Sequence, residues 1–181
     1  MRVDAMLFGA DRGKRAAAES WLLDAAPYQP TTEAEWASAH GVALLTAGVR
    51  CDAVRVPYNV LHPGFDGGTT PDALRHLLAG LGIVGPVFCD PYRPFAYFLV
   101  PPGTDRVWGR DLAAAGMECL GGTQPYVRHV GVPHLGRVSP PGAYWLHPLD
   151  GGSLWYVDAG RLHAVLQARV KDAEKQGEAP E

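Results

Sequence analysis

The strongest periodic signal in the chain lies over residues 71–81. Leu74, Leu77, Leu78 and Leu81 recur there at helical spacing. The flanks carry start and stop signals. Thr70 offers a hydroxyl to the free amides of the first turn, Pro71 suits the first helical position, Asp72 favours the helix dipole, and Gly82 suits the C-terminal cap. A second helix is predicted from Asp11, as its N-cap, to about Ala26, with Ala18, Trp21, Leu22 and Ala25 on one face and Pro27 and Pro30 ending it. A third runs from an Asp158 cap to about Ala173 and turns Leu162, Val165, Leu166 and Val170 inward. A shorter helical stretch over Glu33–Ala39 is expected to bury Trp36.

Between these lie short apolar runs that read as strands. Val42–Leu45 has the continuous apolar character of a buried strand. Ala53–Val56 alternates, with Val54 and Val56 on one face and Ala53 and Arg55 on the other, and Pro57 stops it or places it at a sheet edge. Further strands are predicted at Val87–Cys89, Ala96–Val100, Glu118–Leu120, Val127–Val132 and Ala143–Leu146, and one helical turn at Arg110–Ala115. Asp150-Gly151-Gly152 reads as a tight turn between Trp145 and Trp155. This order predicts an α+β fold, a mixed and largely antiparallel sheet flanked by helices. A single domain over residues 1–173 with a flexible tail at 174–181 is expected, because the charged end lacks apolar anchors.

Composition narrows the function classes. Of 181 residues, 47% are hydrophobic and 19% charged, which supports a real core. Net charge is −3, without the basic surplus that phosphate neutralisation asks for, so strong DNA binding by this chain alone is not expected. No apolar run approaches the ~20 residues of a membrane span, and Met1-Arg2-Val3-Asp4 opens no signal-peptide pattern, so the expectation is a cytoplasmic protein with no membrane partner. Cys51, Cys89 and Cys119 are odd in number and far apart, which predicts three reduced apolar residues rather than a disulfide or zinc framework.

Signed chemistries are missing: no phosphate loop, no dinucleotide fingerprint, no nucleophile elbow, no zinc-binding helix motif. His129, His134 and His147 have no carboxylate or thiol at ligand spacing, so they read as loop or surface groups. Trp21, Trp36, Trp108, Trp145 and Trp155 have apolar flanks and read as core rather than base-stacking platforms. Asp52 stands at a strand start near Arg50 and Arg55, and Asp90 ends a strand near Arg93. Such acids either contact a ligand or pair with the neighbouring arginines at the surface.

From about Trp36 to Leu146 the chain resembles the bifunctional DNA primase/polymerase N-terminal domain of the archaeo-eukaryotic primase superfamily. The likeness is carried by ordered short motifs: Trp36 before Gly41-Val42-Ala43-Leu44-Leu45-Thr46-Ala47-Gly48, then Asp52-Ala53-Val54-Arg55-Val56-Pro57, Arg93-Pro94-Phe95-Ala96-Tyr97-Phe98-Leu99-Val100-Pro101, Val130-Gly131-Val132-Pro133-His134 and Gly142-Ala143-Tyr144-Trp145. Short stand-alone proteins of GC-rich bacteria carry the same trimmed pattern. Aligned on Pro57, the family's metal-binding acidic pair falls at Val54 and Val56, and its phosphate-contacting histidine falls at Phe95. The resemblance therefore implies a degenerate form without nucleotidyl transfer, with no catalytic residue and no resident metal, acting as a binding or regulatory module. It implies Asp52, Arg55, Asp90 and Arg93 as ligand contacts at the family cleft, with a nucleotide or a protein as partner. The rivals are an active Mg²⁺- or Mn²⁺-dependent enzyme using Asp52, Asp90 and Glu118, and a protein–protein adaptor.

Overall fold

The computed structural model describes residues 3–109, 112–123 and 125–177. Five strands, β2 (Asp52–Pro57), β3 (Val87–Asp90), β4 (Phe95–Val100), β5 (Glu118–Leu120) and β7 (Tyr144–His147), form an antiparallel sheet in the order β5-β2-β4-β3-β7. β1 (Val42–Thr46) and β6 (His129–Pro133) form a separate antiparallel pair. Helices α1 (Val3–Leu23), α2 (Gln29–Ala37), α3 (Tyr58–Leu61), α4 (Pro71–Gly80), α5 (Thr104–Trp108) and α6 (Ala159–Gly177) pack around them. The α+β expectation holds, with every strand pair antiparallel.

The alternation of β2 divides the interior in two. Val54 and Val56 enter a core with Phe98 and Val100 of β4, Leu74 and Leu78 of α4, and Leu162 and Leu166 of α6. Ala53 enters a second core with Leu99, Phe88 and Trp145, closed by Ala18 and Leu22 of α1, Trp36 of α2, and Ala43, Leu45, Val130 and Val132 of the small sheet. The five-stranded sheet is thus covered by α3–α6 on one face and by the β1–β6 pair with α1 and α2 on the other. Burial on both faces stabilises it by about 25 cal/mol per Å² of apolar surface removed from water.

The predicted α4 is present with its cap: the Thr70 hydroxyl accepts from the amide of Ala73 at 3.3 Å. Other expectations need correction. α1 begins at Val3, so Asp11 lies inside the helix rather than capping it. Pro30 opens α2 instead of ending α1, since a proline in the first turn lacks only an amide that has no helical partner anyway. β1 is half-buried rather than buried: Ala43 and Leu45 face the core while Leu44 is 52% exposed. β2 ends at Pro57, the first of the two outcomes expected there, and is not an edge strand: β4 pairs with all of it and β5 as far as Arg55, which leaves the proline on an unpaired stretch of that side. β6 begins at His129 rather than Val127.

The helical turn expected at Arg110–Ala115 is displaced. α5 forms earlier, and within the expected stretch a 3₁₀ turn covers Ala113–Ala115, while Arg110 and Asp111 lie outside the described residues. No hairpin follows Asp150-Gly151-Gly152. Pro148 follows the last residue of β7, and Trp155 packs on Trp21 of α1 at 5.3 Å between ring centroids. α6 continues through Gly177, so residues 174–177 are helix rather than tail; 178–181 lie outside the described residues. Among the described residues no helix is long and apolar enough to cross a membrane.

Candidate functional site

The face of the five-stranded sheet that carries Arg55 extends past the cover of the small sheet, and a groove of about 730 Å³ opens there. Its floor is aromatic: Phe88 of β3 and Tyr97 of β4 lie stacked, 4.7 Å between centroids and 5° between planes. They are register partners on neighbouring strands, which is why the rings meet. Burial raises the Tyr97 phenol above its ordinary value.

Four guanidinium groups reach this groove from four segments: Arg55 of β2, Arg93 of the β3–β4 turn, Arg128 just before β6, and Arg137 of the β6–β7 loop. Two carboxylates face them, Asp90 and Glu118. Glu118 bridges two arginines. Its Oε2 accepts from Arg55 Nη2 at 3.0 Å and its Oε1 from Arg128 Nη1. Arg55 also lies over the Phe95 ring, 4.8 Å from its centroid, and its Nε is buried with no hydrogen-bond partner among the described residues. Arg93 is 81% exposed and only 3.9 Å from Asp90, a loose surface pair that contributes little to stability. Arg137 has no carboxylate partner among the described residues; it donates to the carbonyls of Ala39, Pro141 and Ala143. Among the described residues the groove therefore carries more positive than negative charge, inside an acidic protein. His40 and His129 add to its rim.

The structure brings together three of the four sequence-derived contacts. Arg55, Asp90 and Arg93 line the groove. Asp52 does not. Three residues from Arg55 on one strand, it points to the opposite face, where it is fully buried. There its Oδ2 accepts from the Asp105 amide at 2.9 Å, satisfying the first turn of α5, and its Oδ1 has no partner among the described residues. Burial pushes the Asp52 carboxyl up to about 6, and the Asp105 charge adds to this against the backbone bond. Asp105 goes the other way. Burial works to raise it, but the Thr123 amide at 2.8 Å and hydroxyl at 2.6 Å hold it below the ordinary carboxylate range. Asp52 is thus a capping residue in a buried carboxyl pair.

The same alternation separates Asp52 from Asp90 and Glu118, so these acids do not form one cluster. No group of three His, Cys, Asp or Glu side chains among the described residues is arranged to hold a metal ion. Val54 and Val56 sit in the core under α4 and α6; β2 turns Ala53, Arg55 and Pro57 to the groove side instead. The three cysteines are free, with Cys89 buried and Cys51 and Cys119 half-buried.

Sequence reasoning missed Arg128 and Arg137 in the groove, and Asp105 as the partner of Asp52. A signal existed for the first in the adjacent basic pair Arg128-His129 at a strand start. For Asp105, the Pro101-Pro102-Gly103 stop before Thr104-Asp105 marks a helix start. Comparison with protein-family models, with curated protein sequences and with solved structures gives no match.

Proposed function

We propose that this protein is a binding module that holds an anionic ligand, bearing phosphate or carboxylate groups, in the arginine-lined groove, and that it carries out no nucleotidyl transfer. One observation carries the reading: among the described residues, four arginines from four segments and two carboxylates line an aromatic-floored groove, and β2 contributes Arg55 to it. Guanidinium groups suit planar and tetrahedral oxyanions through paired donors.

Nucleotidyl transfer by the two-metal route asks for carboxylates that converge on two divalent ions. The groove side of β2 offers none. The resemblance to the primase/polymerase domain agrees with a cleft at this place, and the residues that fill it favour a degenerate, non-catalytic descendant.

Titration calorimetry with inorganic tripolyphosphate at low ionic strength tests the reading. Binding should be salt-dependent and should fall at least tenfold in Arg55→Gln and in Arg128→Gln. Absence of heat at low salt, or affinity indifferent to both changes, would overturn it. Primer extension with Mg²⁺ or Mn²⁺ should show no incorporation; robust incorporation would refute the non-catalytic part.

A further inference from the structure

The groove also contains a feature that the guanidinium groups do not explain, a free strand edge. In the β1–β6 ladder the Ala47 amide donates to the Arg128 carbonyl and the His134 amide to the Gly41 carbonyl. The register runs from Val42↔Pro133 to Thr46↔His129. Alternation then turns the backbone groups of Val130 and Val132 toward β1 and those of His129, Gly131 and Pro133 away from it. Pro133 has no amide hydrogen, and its carbonyl accepts from the indole Nε1 of Trp145 at 2.8 Å. That bond shows where the outward side lies, since Trp145 belongs to the five-stranded sheet. β6 pairs with β1 and with no second strand among the described residues. The outward N–H and C=O groups of His129 and Gly131 are thus without a strand partner, and both residues line the groove.

We infer that the groove takes an extended, acidic peptide segment of a partner protein, which adds as a strand to β6 at His129 and Gly131 and sets its carboxylates against Arg55, Arg93 and Arg128. The inference rests on the reading of the groove as an anion site and specifies its occupant. An unpaired edge is a template for strand addition. A phosphate chain or a small oxyanion can engage the arginines, but it cannot return the alternating donor and acceptor pattern of a strand edge. A peptide can. Two outward residues two positions apart span roughly 7 Å, so about three peptide residues make the backbone contact. Side chains at alternate positions of the added strand point the same way, which asks for acids at every second residue. Pro133 ends the edge because it has no donor to offer.

The probe is acetyl-Glu-Val-Glu-Val-Glu-amide, followed by calorimetry and by amide chemical shifts of the full chain. Its expected behaviour is binding with chemical-shift changes centred on His129 and Gly131, weakened at least tenfold in Arg55→Gln. A peptide N-methylated at the central residues, which keeps every carboxylate and removes edge donors, should bind at least tenfold more weakly. His129→Pro removes an outward amide without touching the β1 ladder and should do the same. Equal affinity of the methylated peptide overturns strand addition. Binding of tripolyphosphate without the peptide sinks this inference and leaves the anion site standing. Preference for oligothymidylate over the peptide assigns the groove to single-stranded nucleic acid and also sinks it. Failure of tripolyphosphate and peptide together removes both readings.

Discussion

Asp52→Asn should make this protein more stable at neutral pH, although it deletes a charge that caps a helix. The wild-type carboxyl is fully buried and pushed up to about 6 from an ordinary 3.8. Its pKa in the folded state lies above that in the unfolded chain, so folding favours the protonated form. The stability this confers is complete below about pH 4 and disappears as pH rises through about 6. A tenfold change in a proton-binding constant between the unfolded and folded chain is worth about 1.4 kcal/mol, so the ionised side chain costs the native state about 3 kcal/mol above pH 7. Asparagine keeps an oxygen for the Asp105 amide and never ionises. The stability difference, variant minus wild type, should therefore be constant below about pH 3, climb between about pH 4 and 6, and level off about 3 kcal/mol higher. For a chain of this length that is roughly 6–12 °C in Tm at pH 7.5. Urea unfolding followed by tryptophan fluorescence at a series of pH values measures it. A difference flat with pH, or one falling toward neutrality, would refute the assignment of Asp52 as a buried carboxyl that ionises at a cost.

Three other outcomes follow from the geometry. Glu118→Gln frees Arg55 and Arg128 from their shared carboxylate and should raise tripolyphosphate affinity about fivefold, or roughly 1 kcal/mol, read by calorimetry at low salt. Trp145→Ala empties a fully buried site and strands the Pro133 carbonyl, which should remove about 3–5 kcal/mol in urea unfolding. Thr70→Ala takes away the α4 cap and should remove about 1 kcal/mol by the same measurement, with the groove's affinity unchanged.

The sequence was most legible where local chemistry decides. α4 carries a cap, an N-terminal proline and a leucine stripe within a dozen residues, and nothing remote contradicts them. The alternation of β2 was legible too, and it already placed Arg55 opposite Val54 and Val56. Applied to Asp52, the same alternation separates it from Arg55; proximity in sequence hid that. The groove itself was not legible, because Arg93, Arg128 and Arg137 reach it from turns and loops whose positions depend on how two sheets meet. The end of β7 was misread for a related reason: Trp155 looked like the return arm of a hairpin, but a long-range ring contact with Trp21 holds it elsewhere.

β2 acts as a party wall. Val54 and Val56 are held by one core and Ala53 by the other, with β4 along one side and β5 along part of the other. A slip by one residue would drive Arg55 into the aliphatic layer and expel Val54 from it, a penalty levied from both sides at once. The two halves of the molecule therefore share their register, and heating should melt them together in one calorimetric transition.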